Sequence, residues 1–260
     1  MADFIFIRKS RNILSSILHI LFNIFLAIIS IFVTIITGSW ILGILLVLLS
    51  KWRVFAVRPR YWLVNLKSNL VDLIVGAGVV FIPYCAGTTI YPIHYILTVF
   101  YIVWLIGIKP LSSTFATELQ ALLAIFIGTT AAVLMTASAH SIFLCLSCFV
   151  IGYGAARHVI VQSDDRDFSL ITLTCGLVAA ELAWLCHSWL IVYRFGITGI
   201  IVPQLSVILI ILAFAFSTAY KSILKHDGKF KSSEVAMPLF FSLLTVIIII
   251  IWFSQPIFNV

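Results

Sequence analysis

The chain has 260 residues, of which 63% are hydrophobic and 10% charged, with a net charge of +7. A soluble domain is about a quarter charged, so this composition excludes an ordinary water-facing globule. The positive balance does not point to nucleic acid, because the sixteen basic residues sit mostly in short segments between apolar runs, where they set topology and meet anionic lipid headgroups.

Apolar runs of roughly 18 or more residues recur along the chain, long enough to cross a bilayer core of about 30 Å as helices that satisfy their own backbone hydrogen bonds. The alternating ten-residue segments of a membrane barrel are not visible. The expected fold is therefore an all-α polytopic helical bundle of about eight transmembrane spans with an N-terminal amphipathic arm. It divides into residues 1–50 (basic tail, arm and first span), 51–69 (a basic aromatic segment) and 70–260 (a seven-span bundle).

The N-terminus places Arg8, Lys9 and Arg11 before an apolar run from Ile13 to Leu49. That run is too long for a secretory signal and has no small-residue cleavage site, so it is expected to be retained. It is also too long for one upright helix and short for two. Asn12, Ser15, Ser16, His19 and Asn23 give its first half a polar side, which favours an arm over Ser10–Leu26 and a span over Ala27–Leu49. The alternative is a tight hairpin of two spans, for which Gly38-Ser39 is the visible break, though poorly centred.

The stretch from Lys51 to Gly78 changes character along its length. Its front is basic and aromatic, with Lys51, Arg53, Arg58, Arg60 and Lys67 among Trp52, Phe55, Tyr61 and Trp62. Arg53, Arg58, Arg60 and Lys67 are expected to meet lipid headgroups. Its back half reads as an apolar helix on which Asn65, Asn69, Asp72 and Gly76 share one narrow face. Further spans are expected near Leu70–Gly87, Ile90–Ile108, Phe115–Thr136, Ala139–Ala156, Ser169–Tyr193, Ile197–Ala219 and Val235–Phe253. If Lys51–Lys67 is cytoplasmic, Lys109, Arg157, Arg166 and the lysines at 221, 225, 229 and 231 are too, and only Arg194 lies in an outer loop. The three N-terminal basic residues join the majority only if the first run is a hairpin. This bias suits a multi-pass protein of a bacterial plasma membrane.

Small residues four apart (Gly128/Ala132, Gly152/Ala156, Ala179/Ala183) predict close helix packing. No inverted repeat is visible. Cys145 and Cys148 have CxxC spacing but lie mid-span without a second ligand pair, and the histidines show no metal-ligand spacing; no metal or cofactor is implied. No lysine lies inside a span, which excludes a retinal Schiff base.

Charged residues at membrane depth are functional candidates. Asp72 is expected either to form one wall of a cytoplasmic polar pocket with Asn65, Asn69, Glu118, Arg157 and His158, or to reach water or pair with Lys67 or Arg157 at the helix end. Glu181, with Thr174 and Ser188 two turns either way on the same face, is the candidate polar site inside the membrane. Asp164, Asp165 and Asp167 form the densest acidic cluster. Their spacing lacks the regular repeat of a Mg²⁺-phosphate motif, so they read as a solvated capping loop. The first functional reading is passage of a small or lipidic solute, supported by Glu181, the Asp72 face and helix-opening prolines at Pro83 and Pro203. The alternatives are a membrane enzyme acting on a lipid or lipid-linked phosphate, and a non-catalytic subunit of a membrane complex. The expected partners are membrane lipids with anionic headgroups, with other membrane subunits or a second copy as further candidates.

Overall fold

The computed structural model describes residues 2–89, 91–161, 168–188, 191–195, 199–226, 229 and 231–253, with side chains from Ser15 onward apart from Arg53 and Phe55. The acidic cluster at 164–167 and Arg166 lie outside the described residues. The chain is an all-α, multi-pass membrane protein. Among the described residues, six helices are long and apolar enough to cross a bilayer, with a bent pair that makes a seventh if it counts as one span and two shorter apolar helices beside them.

The first apolar run resolves as the hairpin. Helix α1 (Ala2–Thr37) is continuous, and α2 (Trp40–Ser50) folds back along it. Gly38 makes the reversal with φ 60°, a left-handed conformation that glycine adopts without a Cβ penalty. Thr34 faces Gly43 across the hairpin, and that glycine also packs on Val80, so the close approach leaves no room for a side chain. Thus the expected separation into an arm over Ser10–Leu26 and a span over Ala27–Leu49 does not hold. Its physical basis was centring, but the return arm is short: α2 rises about 16 Å, half a bilayer. Lys51 therefore enters the bundle instead of lying on its surface.

After α3 (Trp52–Phe55) and a 3-10 turn (Pro59–Tyr61), α4 (Trp62–Ser68) meets α5 (Leu70–Ala86) at a 72° bend. Leu63 and Val64 are exposed beside Arg58, Arg60 and Lys67, the pattern of an element lying in an interface plane. Helix α6 (Pro92–Val103) continues into a π turn over Trp104–Ile108. Helices α7 (Thr114–Thr136), α8 (Ser141–Ile160) and α9 (Phe168–His187) follow, then a β-hairpin of β1 (Val192–Phe195) and β2 (Ile200–Pro203), then α10 (Gln204–Lys225) and α11 (Ser232–Trp252). The α9 span stops at His187 instead of reaching Tyr193, because the chain turns into the hairpin. Pro203 ends β2 and caps α10, so it opens no helix; Pro83 does lie inside α5.

Helix α7 is the most buried of the long helices and sits at the centre. Close pairs fix the directions of its neighbours. Thr130 Oγ1 lies 3.0 Å from Ser206 Oγ, and Glu118 pairs with Lys221, so α10 runs antiparallel to α7. Gly152 packs on Ala179 while Arg157, further along α8, lies over Phe168 at the start of α9, so α9 runs antiparallel to α8. Gly128 meets Ile74 and Ile151, seating α7 between α5 and α8. The small-residue contacts read from the sequence are thus helix–helix contacts, as packing without a hydrophobic drive requires. All five cysteines are free.

Candidate functional site

Asp72 stands in the first turn of α5 and is buried. Its carboxylate accepts from Lys51 Nζ, from Lys109 Nζ at 2.7 Å and from the Trp104 indole at 3.1 Å. Each donor arrives by a specific backbone device. Lys51 caps α2, whose shortness delivers it at the level of Asp72. The π turn, closed by Lys109 N donating to Trp104 O at 2.8 Å, aims both Trp104 and Lys109 at the same carboxylate. Such local widening is often found at special sites in helices. Lys51 is 7% exposed and Trp104 1%, whereas the Lys109 side chain is 43% exposed. One buried carboxylate is thus saturated by two cations and an indole, joining the ends of α2 and α6 to the start of α5.

The expected pocket around Asp72 does not assemble from the expected residues. Asn69 Nδ2 donates to Asn65 O at 2.9 Å, at the α4–α5 bend, and Asn65 Nδ2 donates to Val54 O at 3.4 Å, tying α4 to α3. Arg157 lies over the Phe168 ring at 5.6 Å, closing the gap between α8 and α9. Glu118 pairs with Lys221 of α10. Gln120, which the sequence reading passed over, is 5% exposed. Its amide donates to Ile108 O at 2.7 Å and Leu111 O at 3.0 Å, satisfying carbonyls freed where the π turn ends. His158 Nε2 lies 2.7 Å from its Oε1.

A second feature lies between α7, α8, α9 and α10. These helices enclose a cavity of about 250 Å³. Its walls are almost wholly apolar, with Ile125, Ala156, Val178, Leu182 and Ala213 among them, and Glu118 and Lys221 stand at one end. Helices α9 and α10 touch little, which leaves a seam beside the cavity. An apolar chamber with one ionic lip matches a molecule with a hydrocarbon body and a charged or polar head.

The Glu181 group is arranged differently from the expectation. Thr174 and Glu181 lie on α9 and Ser188 just past its end, and all three are exposed. Thr174 bonds its own helix at Leu170 O, 2.9 Å away, and borders the cavity. Glu181 points outward, so the expected buried, hydrogen-bonding acid is absent from the bundle interior. Among the headgroup candidates, Arg58, Arg60 and Lys67 are exposed, with Arg60 over the Tyr61 ring at 4.6 Å; the Arg53 side chain lies outside the described residues.

No group of His, Cys, Asp or Glu among the described residues is placed to hold a metal ion. Lys51 and Lys109 carried a usable signal: each is a lysine at the end of an apolar run, at the same end of the bundle as Asp72. Gln120 and Trp104 carried none, because their roles depend on the π turn. Comparison with protein-family models, curated proteins and solved structures finds no match, so the geometry of the cavity and of the Asp72 cluster is the ground for any functional reading.

Proposed function

We propose that this membrane protein binds a lipidic solute between α7 and α10 as a step in its passage through the bilayer. The observation that carries the reading is the apolar cavity of about 250 Å³ with the Glu118–Lys221 pair at its end. A hydrocarbon tail entering from the lipid meets walls as apolar as the medium it leaves, so van der Waals packing and the ionic end, and not removal from water, select it. The ion pair then offers a cation and an anion to a polar head. The seam between α9 and α10 gives such a solute a route from the lipid without crossing water.

The proposal extends to orientation and location. The described basic residues cluster at the end of the bundle that holds Asp72, and Arg194 stands at the other. The hairpin of α1 and α2 brings the helix start that carries Arg8, Lys9 and Arg11 to the basic end as well. This distribution supports a cytoplasmic basic end in a bacterial plasma membrane. There Arg53, Arg58, Arg60 and Lys67 would meet anionic headgroups, which contribute about 1 kcal/mol per basic residue near the surface.

The test is passage of a fluorescent-headgroup phospholipid across vesicles containing the purified chain, read by chemical bleaching of the outer leaflet. The proposal expects passage above protein-free vesicles and its loss in Ala156→Trp, which fills the cavity. Equal passage by the wild type and the filled variant overturns it.

A further inference from the structure

Glu181 lies thirteen residues beyond Phe168, about 20 Å along α9, and six before His187, about 9 Å from that end. Boundary markers bracket it: Arg157 over Phe168 on one side, and Tyr193 donating to Phe253 O on the other. The residue is therefore within the hydrocarbon core, and its side chain is exposed. No hydrogen bond or ion pair to Glu181 occurs among the described residues. Acids at this depth almost always face a bundle interior or a paired group, because hydrocarbon solvates neither the carboxylate nor an unbonded carboxyl.

The face around it has a regular spacing. Leu170, Thr174, Leu177, Glu181 and Trp184 alternate four and three apart along α9, and every one is exposed. A run of this period forms a straight seam that a second helix can follow at a shallow crossing angle. Glu181 is its single ionisable position, where a polar residue fixes register and partner choice. Charge decides the occupant. Between Arg166 and Arg194 the chain has no basic residue, and α7, α8 and α10 carry none at this level. A second copy docking by the same seam would set Glu181 against Glu181.

We infer that the outward seam of α9 docks a transmembrane helix of another protein that carries a lysine or arginine at the depth of Glu181. Glu181 does not line the cavity, and the seam meets the cavity's edge only at Thr174.

The experiment places a benzophenone amino acid at Leu177 or Leu185, both exposed beside Glu181, and at Leu146 on the outer face of α8 as a control. Full-length protein is irradiated in its native membranes, and the attached peptides are sequenced. The inference expects Leu177 and Leu185, but not Leu146, to label one transmembrane segment with a Lys or Arg at matching depth. Glu181→Leu should abolish that band while the protein keeps its elution volume and its Leu146 pattern. Glu181→Lys should also abolish it, and Glu should restore it when placed at the partner's cation. Labelling of lipid alone, of a second copy of this chain or of a helix without a basic residue overturns the inference, as does a band that survives Glu181→Leu.

Discussion

Asp72→Asn tests the cluster that ties α2, α5 and α6 together. The substitution keeps the shape but removes the negative charge that Lys51 and Lys109 share. Lys109 is 43% exposed on its side chain and can turn to water, so its share of the loss is small, within the range of about 0–1 kcal/mol for exposed pairs. Lys51 is 7% exposed and has no such escape. Removing one partner of a buried pair costs about 3–5 kcal/mol, because a charge is left uncompensated. The expected order of destabilisation is therefore Asp72→Asn, then Lys51→Met, then Lys109→Gln, since Asp72 keeps two donors when Lys51 is lost. The assay is reversible unfolding in mild detergent micelles. The double variant Lys51→Met/Asp72→Asn should recover most of the loss, because an apolar replacement is often neutral. A cost for Asp72→Asn below about 1 kcal/mol, or a double variant as unstable as the two losses added together, refutes the reasoning.

Gln120→Leu should cost about 1–3 kcal/mol in the same unfolding assay, because carbonyls at the end of the π turn lose their donor; a neutral result would show that water replaces the amide there. Gly43→Leu should prevent the α1–α2 hairpin from closing, since a side chain there meets Thr34 and Val80. Cysteine accessibility at Asn12 reads this as a change in the exposure of the helix start. Replacing Arg53, Arg58, Arg60 and Lys67 with Gln should weaken binding to vesicles containing anionic lipid by about 1 kcal/mol per charge at low salt. Binding that is unchanged by these replacements, or insensitive to salt, would contradict the interfacial role of this segment.

Much of the helical layout was legible, because length and hydropathy settle which segments suit a bilayer. Leu70–Ala86 and Thr114–Thr136 were readable to within a residue for that reason. The first run was not, since a hairpin with an 11-residue return arm has no hydropathy break at its turn, only Gly38. The end of α9 was hidden likewise: Ile191, Val192 and Tyr193 are as apolar in a hairpin strand as in a span. Asp72 was legible as a special residue and Lys51 and Lys109 as lysines at its end of the bundle, but their pairing with it was not. Periodicity places residues on a face of their own helix and says nothing about which helix arrives opposite. Lys51 and Lys109 reach Asp72 through a short helix and a π turn, neither of which a sequence pattern encodes. Glu181 shows the converse failure: periodicity sets the spacing of residues along a helix face but carries no sign for inward or outward.

Native mass spectrometry of the full chain, purified in mild detergent, addresses the cavity directly. It compares the wild type, Ala156→Trp, which fills the space between α7 and α10, and Leu146→Trp, which adds the same bulk on the exposed face of α8. The account predicts one retained amphiphile on the wild type and on Leu146→Trp, and none on Ala156→Trp. An amphiphile retained equally by all three proteins, or by none, would contradict it.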